Sequence, residues 1–223
     1  MKPLGSSAWP GVVPGWWIRV ASVAAALTVA GWLLAPAIRE LLQSSFVVAA
    51  DSAVAAWLHA RTSPALTEFM RWQSVMHGTA GILTLTAIVA AMLWRYGERQ
   101  DLPILLAAVP GGMLLNVAIK HAVRRVRPDW GYALEALESF SFPSGHTAGA
   151  TLFYGATLAW LWPRTRAAWM RIALAVAAAG MVLLVAASRI VLGLHFLSDC
   201  VAAVFEALLW LAICMTRAER REP

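Results

Sequence analysis

Several long apolar segments limit what this chain can fold into. Of its 223 residues, 60% are hydrophobic and 13% are charged, and its apolar runs are longer than a soluble core helix needs. Charged residues, prolines and glycines divide it into six candidate spans, at about 17–38, 78–94, 102–119, 147–163, 171–188 and 196–215. Each span reaches the roughly 17 to 25 residues with which a helix crosses a bilayer core.

These spans predict an all-α fold, a polytopic membrane helical bundle with six transmembrane helices and a single domain over residues 1–223. Residues 39–77 mix charges with apolar patches, which is typical of amphipathic helices at the membrane interface. Ser63-Pro64 is expected to divide that segment, and Pro110 with its neighbouring glycines to kink the third span. The first span is predicted to be retained rather than cleaved as a signal, because it has full spanning length.

The basic residues indicate an orientation in the membrane. A net charge of +6 would suggest nucleic acid binding in a soluble protein, but these residues lie mainly at the ends of apolar runs, so no nucleic acid partner is expected. With both termini in the cytoplasm, ten of the eighteen basic residues fall inside, and they crowd the short connections to which the positive-inside rule applies. We therefore predict an inner (plasma) membrane protein whose 39–77 segment faces the extracytoplasmic side.

Three polar clusters interrupt the apolar sequence between residues 120 and 199, and the same charge pattern places all three on the extracytoplasmic side. The clusters are Lys120 with Arg127-Pro128, then Pro143-Ser144-Gly145-His146, then Ser188-Arg189 with His195 and Asp199. Three cations can neutralise a multiply charged oxyanion, and serine and glycine can donate hydrogen bonds to it. Two histidines and a carboxylate can move protons and attack phosphorus, so the set suits phosphoryl transfer.

The first cluster suits phosphate binding. Lys120 alone could be a membrane-anchoring lysine at the end of the third span. The spacing Lys-x6-Arg-Pro instead predicts two cations on one rim, with Pro128 ending the helix. The Arg127 guanidinium can bind two phosphate oxygens at once while the ammonium acts as a point charge. Arg124 and Arg125 are interpreted as contacts to anionic lipid headgroups, outside the site.

The second cluster precedes an apolar run that begins at Thr147. A turn that leads into a helix presents free backbone N–H groups, and such a helix start favours an anion. The alternative is a simple proline turn in which Ser144 caps the helix. His146 favours the functional interpretation, because an imidazole at the mouth of a membrane helix is costly but can donate a proton to a departing alkoxide.

The third cluster pairs a histidine with a carboxylate. His195 and Asp199 are four residues apart, so on a helix their side chains share a face and can meet. A carboxylate bonded to one imidazole nitrogen sets the tautomer and leaves the other nitrogen free to attack phosphorus. A structural pair that closes a polar gap between helices is the alternative. Gly193 permits a turn that brings Arg189 beside the histidine.

The other histidines and one pair of carboxylates are predicted to lie outside the site. His59, His77 and His121 have no partner at metal-ligand spacing in the sequence, so we expect structural or exposed roles. Glu135 and Glu138 are one helical turn apart, but no further ligands accompany them. We interpret this pair as a solvated helix face rather than as a metal site.

Two cysteines and two carboxylates lie within apolar stretches of the sequence. Cys200 and Cys214 fall within the last span without Cys-x-x-Cys spacing, and we predict that they are small packing residues. Asp51 lies in a membrane-associated segment, where a carboxylate needs a partner, and a basic residue near the site is expected to provide it. Glu206, inside the last span, should face other helices or lie near the inner half of the membrane, and the sequence assigns it no partner.

Taken together, the clusters resemble the type 2 phosphatidic acid phosphatases, a family whose site is shared with vanadium haloperoxidases and bacterial acid phosphatases. The family signature is Lys-x6-Arg-Pro, Pro-Ser-Gly-His and Ser-Arg-x5-His-x3-Asp. This chain carries it over residues 120–199 with no departure at a signature position. Six spans also agree with the membrane branch of the family, whereas residues 1–100 match it only in general layout.

The resemblance implies a role for each residue of the signature. His195 would be the nucleophile that forms a phosphohistidine, with Asp199 orienting it. His146 would protonate the leaving oxygen and then activate water. The residues expected to bind the substrate phosphate are Lys120, Arg127, Ser144, Gly145 and Arg189. No metal or other cofactor is expected, so activity should survive EDTA.

The function implied is hydrolysis of a phosphomonoester or pyrophosphate of a membrane lipid at the extracytoplasmic face. Undecaprenyl pyrophosphate, phosphatidylglycerol phosphate, phosphatidic acid and lipid A phosphate all fit as substrates. A phosphotransferase that passes the phosphoryl group to another lipid would use the same residues. An anion transporter would explain the cations but not a His-Asp pair beside a second histidine. A vanadate haloperoxidase is disfavoured, because the oxidases to compare are soluble.

Overall fold

The computed structural model of the chain describes residues 15–130 and 139–216. Within those two ranges there are nine α-helices and no strand, which confirms the all-α prediction. The helices are α1 (Trp16–Leu42), α2 (Ser45–His59), α3 (Pro64–Met76), α4 (Thr79–Arg95), α5 (Leu102–Leu106), α6 (Gly112–Val123), α7 (Gly145–Leu161), α8 (Ala168–Val191) and α9 (Leu197–Met215). A π-helical turn, Ala107–Gly111, joins α5 to α6.

Four stretches of the described residues are long and apolar enough to cross a membrane. They are α1, the continuous Arg99–Val123 stretch, α8 and α9. A fifth is obtained if α3 and α4, which meet at a bend of 54°, count as one span. The remaining predicted span corresponds to α7, which has 17 residues. By this measure there are four or five spans, where the sequence predicted six.

Helix α7 lies at the centre of the bundle. It packs against α9, α8, α6 and α4, and every residue from 147 to 153 is buried. Small side chains along this stretch allow neighbouring helices to approach closely, which is how helices associate in membranes. The N-terminal half of α7, which follows the second polar cluster, is therefore held by several helices at once.

The third predicted span is irregular where a kink was expected. Pro110 lies in the π-helical turn and has no N–H group to donate to a helical hydrogen bond. The Trp210 indole of α9 donates to the Ala107 carbonyl oxygen at 2.9 Å, so a neighbouring helix holds the turn. Gly112 follows, and a Cβ atom there would lie 2.7 Å from the side chains of Leu152 and Trp210. Glycine thus lets α6 pack closely at this point.

Helices α2 and α3 form most of the 39–77 segment. The predicted division near Ser63-Pro64 is confirmed, because α2 ends at His59 and α3 begins at Pro64. The Ser63 hydroxyl accepts a hydrogen bond from the Leu66 N–H group at 3.2 Å and so caps α3. Both helices pack against α8, and α2 also packs against α9. The segment therefore covers part of the bundle rather than standing apart from it.

Helix α6 ends earlier than the sequence predicted. Pro128 was expected to end it, but the last helical residue is Val123 and Arg124 adopts the left-handed conformation with φ of 54°. A left-handed residue at this position ends a helix by turning the chain out of the helical path. The prediction was wrong because it used proline as the only stop signal. Arg127 consequently lies on an irregular segment and not on the helix.

The two cysteines are packing residues, as predicted. Cys200 and Cys214 are both buried and both are free thiols. Cys214 belongs to the main apolar core, while Cys200 packs with Ala55 of α2 and Ile190 of α8.

Candidate active site

The three polar clusters meet around one cavity at one end of the bundle. The cavity has a volume of about 540 Å³ and lies between the end of α6, the start of α7, and the end of α8. Its polar side chains are those of Thr79, Asn116, Lys120, His121, Arg127, Ser139, His146, Arg189 and His195, and Gly145 also lines it. The two other predicted site residues, Ser144 and Asp199, lie behind this lining and are fully buried.

The hydrogen bonds of His195 set its tautomer. Its Nε2 atom lies 3.1 Å from Arg127 Nη1, and its Nδ1 atom lies 3.3 Å from Asp199 Oδ2. A guanidinium can only donate hydrogen bonds, so Nε2 must be the acceptor and the proton must sit on Nδ1, facing the carboxylate. The lone pair of Nε2 is therefore directed toward a cation at the wall of the cavity.

The turn after α8 places His195 at this point. Gly193 has a φ of 73°, which belongs to the left-handed region, and the N–H groups of Leu194 and His195 both donate to the Arg189 carbonyl oxygen, at 3.0 and 3.2 Å. The predicted glycine turn is thus present. Burial lowers the pKa of His195 to about 4, although the Asp199 carboxylate acts in the opposite direction. The ring is accordingly neutral at physiological pH.

Asp199 connects the first turn of α9 to two other parts of the site. Its Oδ2 atom also accepts the Phe196 N–H group at 3.0 Å, which satisfies a free donor at the helix start. Its carbonyl oxygen accepts the Ser144 N–H group at 3.1 Å. That backbone hydrogen bond joins the starts of α7 and α9, which carry His146 and Asp199.

Arg127 and Arg189 reach the cavity from different segments. Arg127 is held by the Leu194 carbonyl at 2.7 Å and by the Ser139 carbonyl at 2.7 Å. Arg189 is almost fully buried, and its guanidinium donates to the Ser74 hydroxyl of α3. Ser74 could not be predicted from the sequence, because it lies 115 residues from its partner.

Lys120 lines the cavity from the last turn of α6. Its ammonium donates to the Phe140 and Pro143 carbonyl oxygens, both at 2.8 Å, and to the Ser141 carbonyl oxygen at 3.4 Å. An ammonium has three protons to donate, so these contacts engage them all. Lys120 thus holds the loop before α7 in place and adds its positive charge to the cavity.

The start of α7 carries the second cluster. Gly145 and His146 line the cavity, in the first turn of the helix, where backbone N–H groups have no helical acceptor. Ser144 is the residue before the helix, and its hydroxyl lies 3.0 Å from the Thr147 hydroxyl. The Ser144 hydroxyl is therefore directed along α7 rather than into the cavity in this structure.

One side of the cavity is apolar. Its lining includes Leu83 of α4, Pro110 of the π-helical turn, and Met113, Leu114 and Val117 of α6. Leu114 is 71% exposed on the outside of the bundle. The cavity consequently extends from the cationic cluster to the apolar surface between α4 and α6.

Arg125 does not have the role that the sequence suggested. We interpreted it as a lipid headgroup contact, but its guanidinium lies 2.6 Å from Asp199 Oδ1 and 3.0 Å from Asp51 Oδ2, and its side chain is 12% exposed. The interpretation was wrong because a buried carboxylate competes for the arginine more strongly than solvent-exposed headgroups. The expectation that Asp51 pairs with a basic residue near the site is confirmed. Arg124, in contrast, is exposed.

Two other polar groups, Glu206 and His77, have hydrogen-bond partners on neighbouring helices. Glu206 accepts a hydrogen bond from Asn116 Nδ2 at 2.8 Å, so it faces other helices, as predicted, and α6 provides its partner. His77 bonds the Tyr154 hydroxyl at 2.8 Å, which agrees with a structural role. His121 is exposed, which agrees with the expected structural or exposed role; it also lines the cavity, and its ring packs edge-on against Phe140.

Metal binding has no candidate cluster in the described part of the chain. Within residues 15–130 and 139–216, no group of three or more His, Cys, Asp or Glu side chains is placed to hold a metal ion. Glu135 and Glu138 lie outside the described residues. The expectation of a metal-independent reaction stays a prediction.

Comparison with known proteins identifies one matching family and two similar proteins. The model of the PAP2 superfamily matches residues 101–223, more than half of the chain. Phosphatidylglycerophosphatase B of Bacillus subtilis (strain 168) is 29% identical over 159 residues, which cover 71% of this chain and 78% of the relative. A crystal structure of a transmembrane PAP2-type phosphatidylglycerolphosphate phosphatase from Bacillus subtilis is similar with a TM-score of 0.72 and 27% identity, covering 84% of this chain and 93% of that chain.

The apolar helices and these relatives together indicate a multi-pass membrane protein. Because the relatives are phosphatases, they support a phosphoric ester hydrolase that acts on a phospholipid. The matched region also contains every residue of the signature, from Lys120 to Asp199. By sequence and by fold, the chain belongs to the PAP2 superfamily.

Proposed function

We propose that this protein hydrolyses a lipid phosphomonoester or pyrophosphate through a phosphohistidine formed on His195. The observation that carries the proposal is the tautomer of His195, whose Nε2 lone pair meets Arg127 at the wall of a cavity with one cationic and one apolar side. A phosphorylated lipid has the same two parts, a charged headgroup and an apolar tail. Phosphatidylglycerol phosphate is the leading substrate, because the relatives named above act on it.

In the first step, His195 Nε2 attacks phosphorus and the bond from phosphorus to the lipid oxygen breaks. Arg127, which bonds Nε2 in this structure, transfers its hydrogen bond to a phosphate oxygen and exposes the lone pair. His146 gives a proton to the departing oxygen, so a phosphomonoester releases a neutral lipid alcohol and a pyrophosphate releases the lipid monophosphate. Asp199 stabilises the positive charge that develops on the His195 ring.

In the second step, water attacks the phosphohistidine. His146, now neutral, accepts a proton from that water, the bond between phosphorus and Nε2 breaks, and inorganic phosphate and His195 are regenerated. Arg127, Arg189 and Lys120 supply positive charge to the transferring phosphoryl group in both steps, with the first-turn N–H group of Gly145. The Ser144 hydroxyl would join them only after rotating away from Thr147.

We further propose that the substrate enters sideways from the bilayer, between α4 and α6. The cavity side formed by Leu83, Leu114 and Val117 is apolar and continuous with the outside of the bundle. In the proposed topology α7 is a sixth span, since 17 residues rise by about 25 Å as a helix. Both termini are then cytoplasmic, and the cavity opens at the extracytoplasmic face, as the distribution of basic residues predicts.

The proposed function is tested with purified protein in detergent and a panel of phosphorylated lipids. Phosphatidylglycerol phosphate, phosphatidic acid and undecaprenyl pyrophosphate are incubated with the protein, with and without EDTA, and released inorganic phosphate is measured. We expect release from at least one lipid, at a rate that EDTA does not change. Transfer of the phosphoryl group to a second lipid instead of water would identify a phosphotransferase. A strict Mg²⁺ requirement would contradict the proposed mechanism.

The lowered pKa of His195 predicts the acid limb of the pH profile. Only the neutral ring is nucleophilic, and its pKa of about 4 lies below the ordinary value of 6.5, so the enzyme keeps its nucleophile between these two pH values. kcat/KM is measured from pH 3.5 to 8 and corrected for the ionisation of the substrate phosphate, determined separately by phosphorus NMR. After this correction, we expect kcat/KM to fall on the acid side with a midpoint near pH 4. A limb near 6.5 would show a histidine with an ordinary pKa.

A further inference from the structure

Asp51 is a buried carboxylate on α2 that contacts the start of α9. Its Oδ1 atom accepts the Ser198 N–H group at 2.8 Å, and its Oδ2 atom accepts the Ser198 hydroxyl at 2.7 Å. The first N–H groups of a helix lack helical acceptors, so Asp51 caps α9 from another helix. A residue 147 positions away in sequence therefore anchors the turn that carries Asp199.

Arg125 connects Asp51 to Asp199. Its Nη2 atom lies 3.0 Å from Asp51 Oδ2, and its Nη1 atom lies 2.6 Å from Asp199 Oδ1 and 2.7 Å from the Ser198 hydroxyl. The guanidinium also stacks over the Phe196 ring, 3.9 Å from the ring centroid. Stacking and two carboxylates together leave the guanidinium little freedom to turn.

The two oxygens of Asp199 have separate partners. Arg125 holds Oδ1, which leaves Oδ2 for the His195 Nδ1 atom and the Phe196 N–H group. Without Arg125, the carboxylate could rotate about its last bond and weaken its hydrogen bond to His195. Partners behind a functional ligand control its orientation in the same way at metal centres, where their loss costs about 10- to 100-fold in activity or metal affinity.

We propose that Asp51 and Arg125 are positioning residues, which act on the reaction only through the orientation of the Asp199 carboxylate toward His195. The inference rests on the proposed function, and it makes α2 part of the catalytic apparatus. Because neither side chain is expected to touch the substrate, their loss should lower kcat and leave KM nearly unchanged.

A double-mutant cycle tests this relation. Arg125→Gln and Asp51→Asn are each made separately, in the wild-type protein and in the Asp199→Asn variant. Turnover is measured with a ³²P-labelled lipid, so that slow rates can be detected. In the wild-type background we expect kcat to fall about 10- to 100-fold. In the Asp199→Asn background the same substitutions should change kcat less than about 3-fold, because the group that they orient is already lost.

The control is an arginine in an exposed ion pair away from the site. Arg71 bonds Glu68 at 3.1 Å on the exposed side of α3, and Arg71→Gln should leave kcat unchanged. Arg125→Gln leaves two buried carboxylates without a cation and can prevent folding. In that case Arg125→Lys, which keeps the charge but cannot bridge both carboxylates, replaces it in the cycle.

The possible results separate this inference from the proposed function. A fall in kcat that disappears in the Asp199→Asn background supports the inference. An equal fall in both backgrounds, a rise in KM alone, or no change at all would overturn it while the lipid phosphatase activity stands. If the wild-type protein releases no phosphate from any lipid of the panel, the proposed function is refuted and the inference with it.

Discussion

Replacing His195 with alanine is expected to abolish phosphate release, with a loss of at least about 10⁴-fold in kcat. Among the described groups at the cavity, the His195 Nε2 atom combines a lone pair, a set tautomer and a cation within 3.1 Å. Removing it removes the covalent step itself and not merely one stabilising contact. The measurement is release of ³²P-labelled phosphate from the best lipid of the panel.

The same experiment includes a trap for the intermediate. Wild-type protein quenched in base should retain label on one histidine, since phosphohistidine is stable there, and His195→Ala should retain none. His59→Ala, a substitution on α2 outside the cavity, serves as the folded control with normal activity. Turnover by His195→Ala near the wild-type rate would remove His195 as the nucleophile.

The second large effect is expected for His146→Ala. General acid catalysis is typically worth about 10² to 10⁴ in rate, and the alkoxide of a lipid is a poor leaving group that needs the proton. We therefore expect a loss in that range with the lipid, and a smaller loss in formation of the phosphohistidine from p-nitrophenyl phosphate, whose leaving group departs without a proton. Both single-turnover rates are measured in rapid-quench experiments.

His146 should also act after the first step. Since the variant lacks the base for the attacking water, the phosphohistidine formed from p-nitrophenyl phosphate should accumulate in His146→Ala and decay slowly. The double variant with His195→Ala supplies the blank for this labelling. Equal losses with both leaving groups would contradict the assignment of His146 as the acid.

The parts of the site that the sequence predicted are those determined by local geometry. His195 and Asp199 are within one helical turn of each other, and Gly193 permits the turn that precedes them, so their meeting follows from short-range rules. We predicted the convergence of the three clusters by a different argument, because six alternating spans would return the chain to the same side. Both arguments depend on few residues and little tertiary information.

The parts that the sequence missed depend on contacts between distant segments. Arg125 meets Asp51 and Asp199 across 74 residues in either direction, and Ser74 meets Arg189 across 115. An arginine beside a predicted site has several possible partners, and only the packing of α2 on α9 selects among them. The end of α6 was missed for a related reason, since no sequence signal indicates that Arg124 adopts a left-handed backbone conformation.

The backbone hydrogen bond from Ser144 N–H to the Asp199 carbonyl affects how all of these variants can be interpreted. It involves no side chain, so none of the substitutions above removes it directly. The starts of α7 and α9 should keep their spacing while individual functional groups are deleted. A fall in kcat in such a series would then reflect the loss of the deleted side-chain group, rather than a larger distance between His146 and His195.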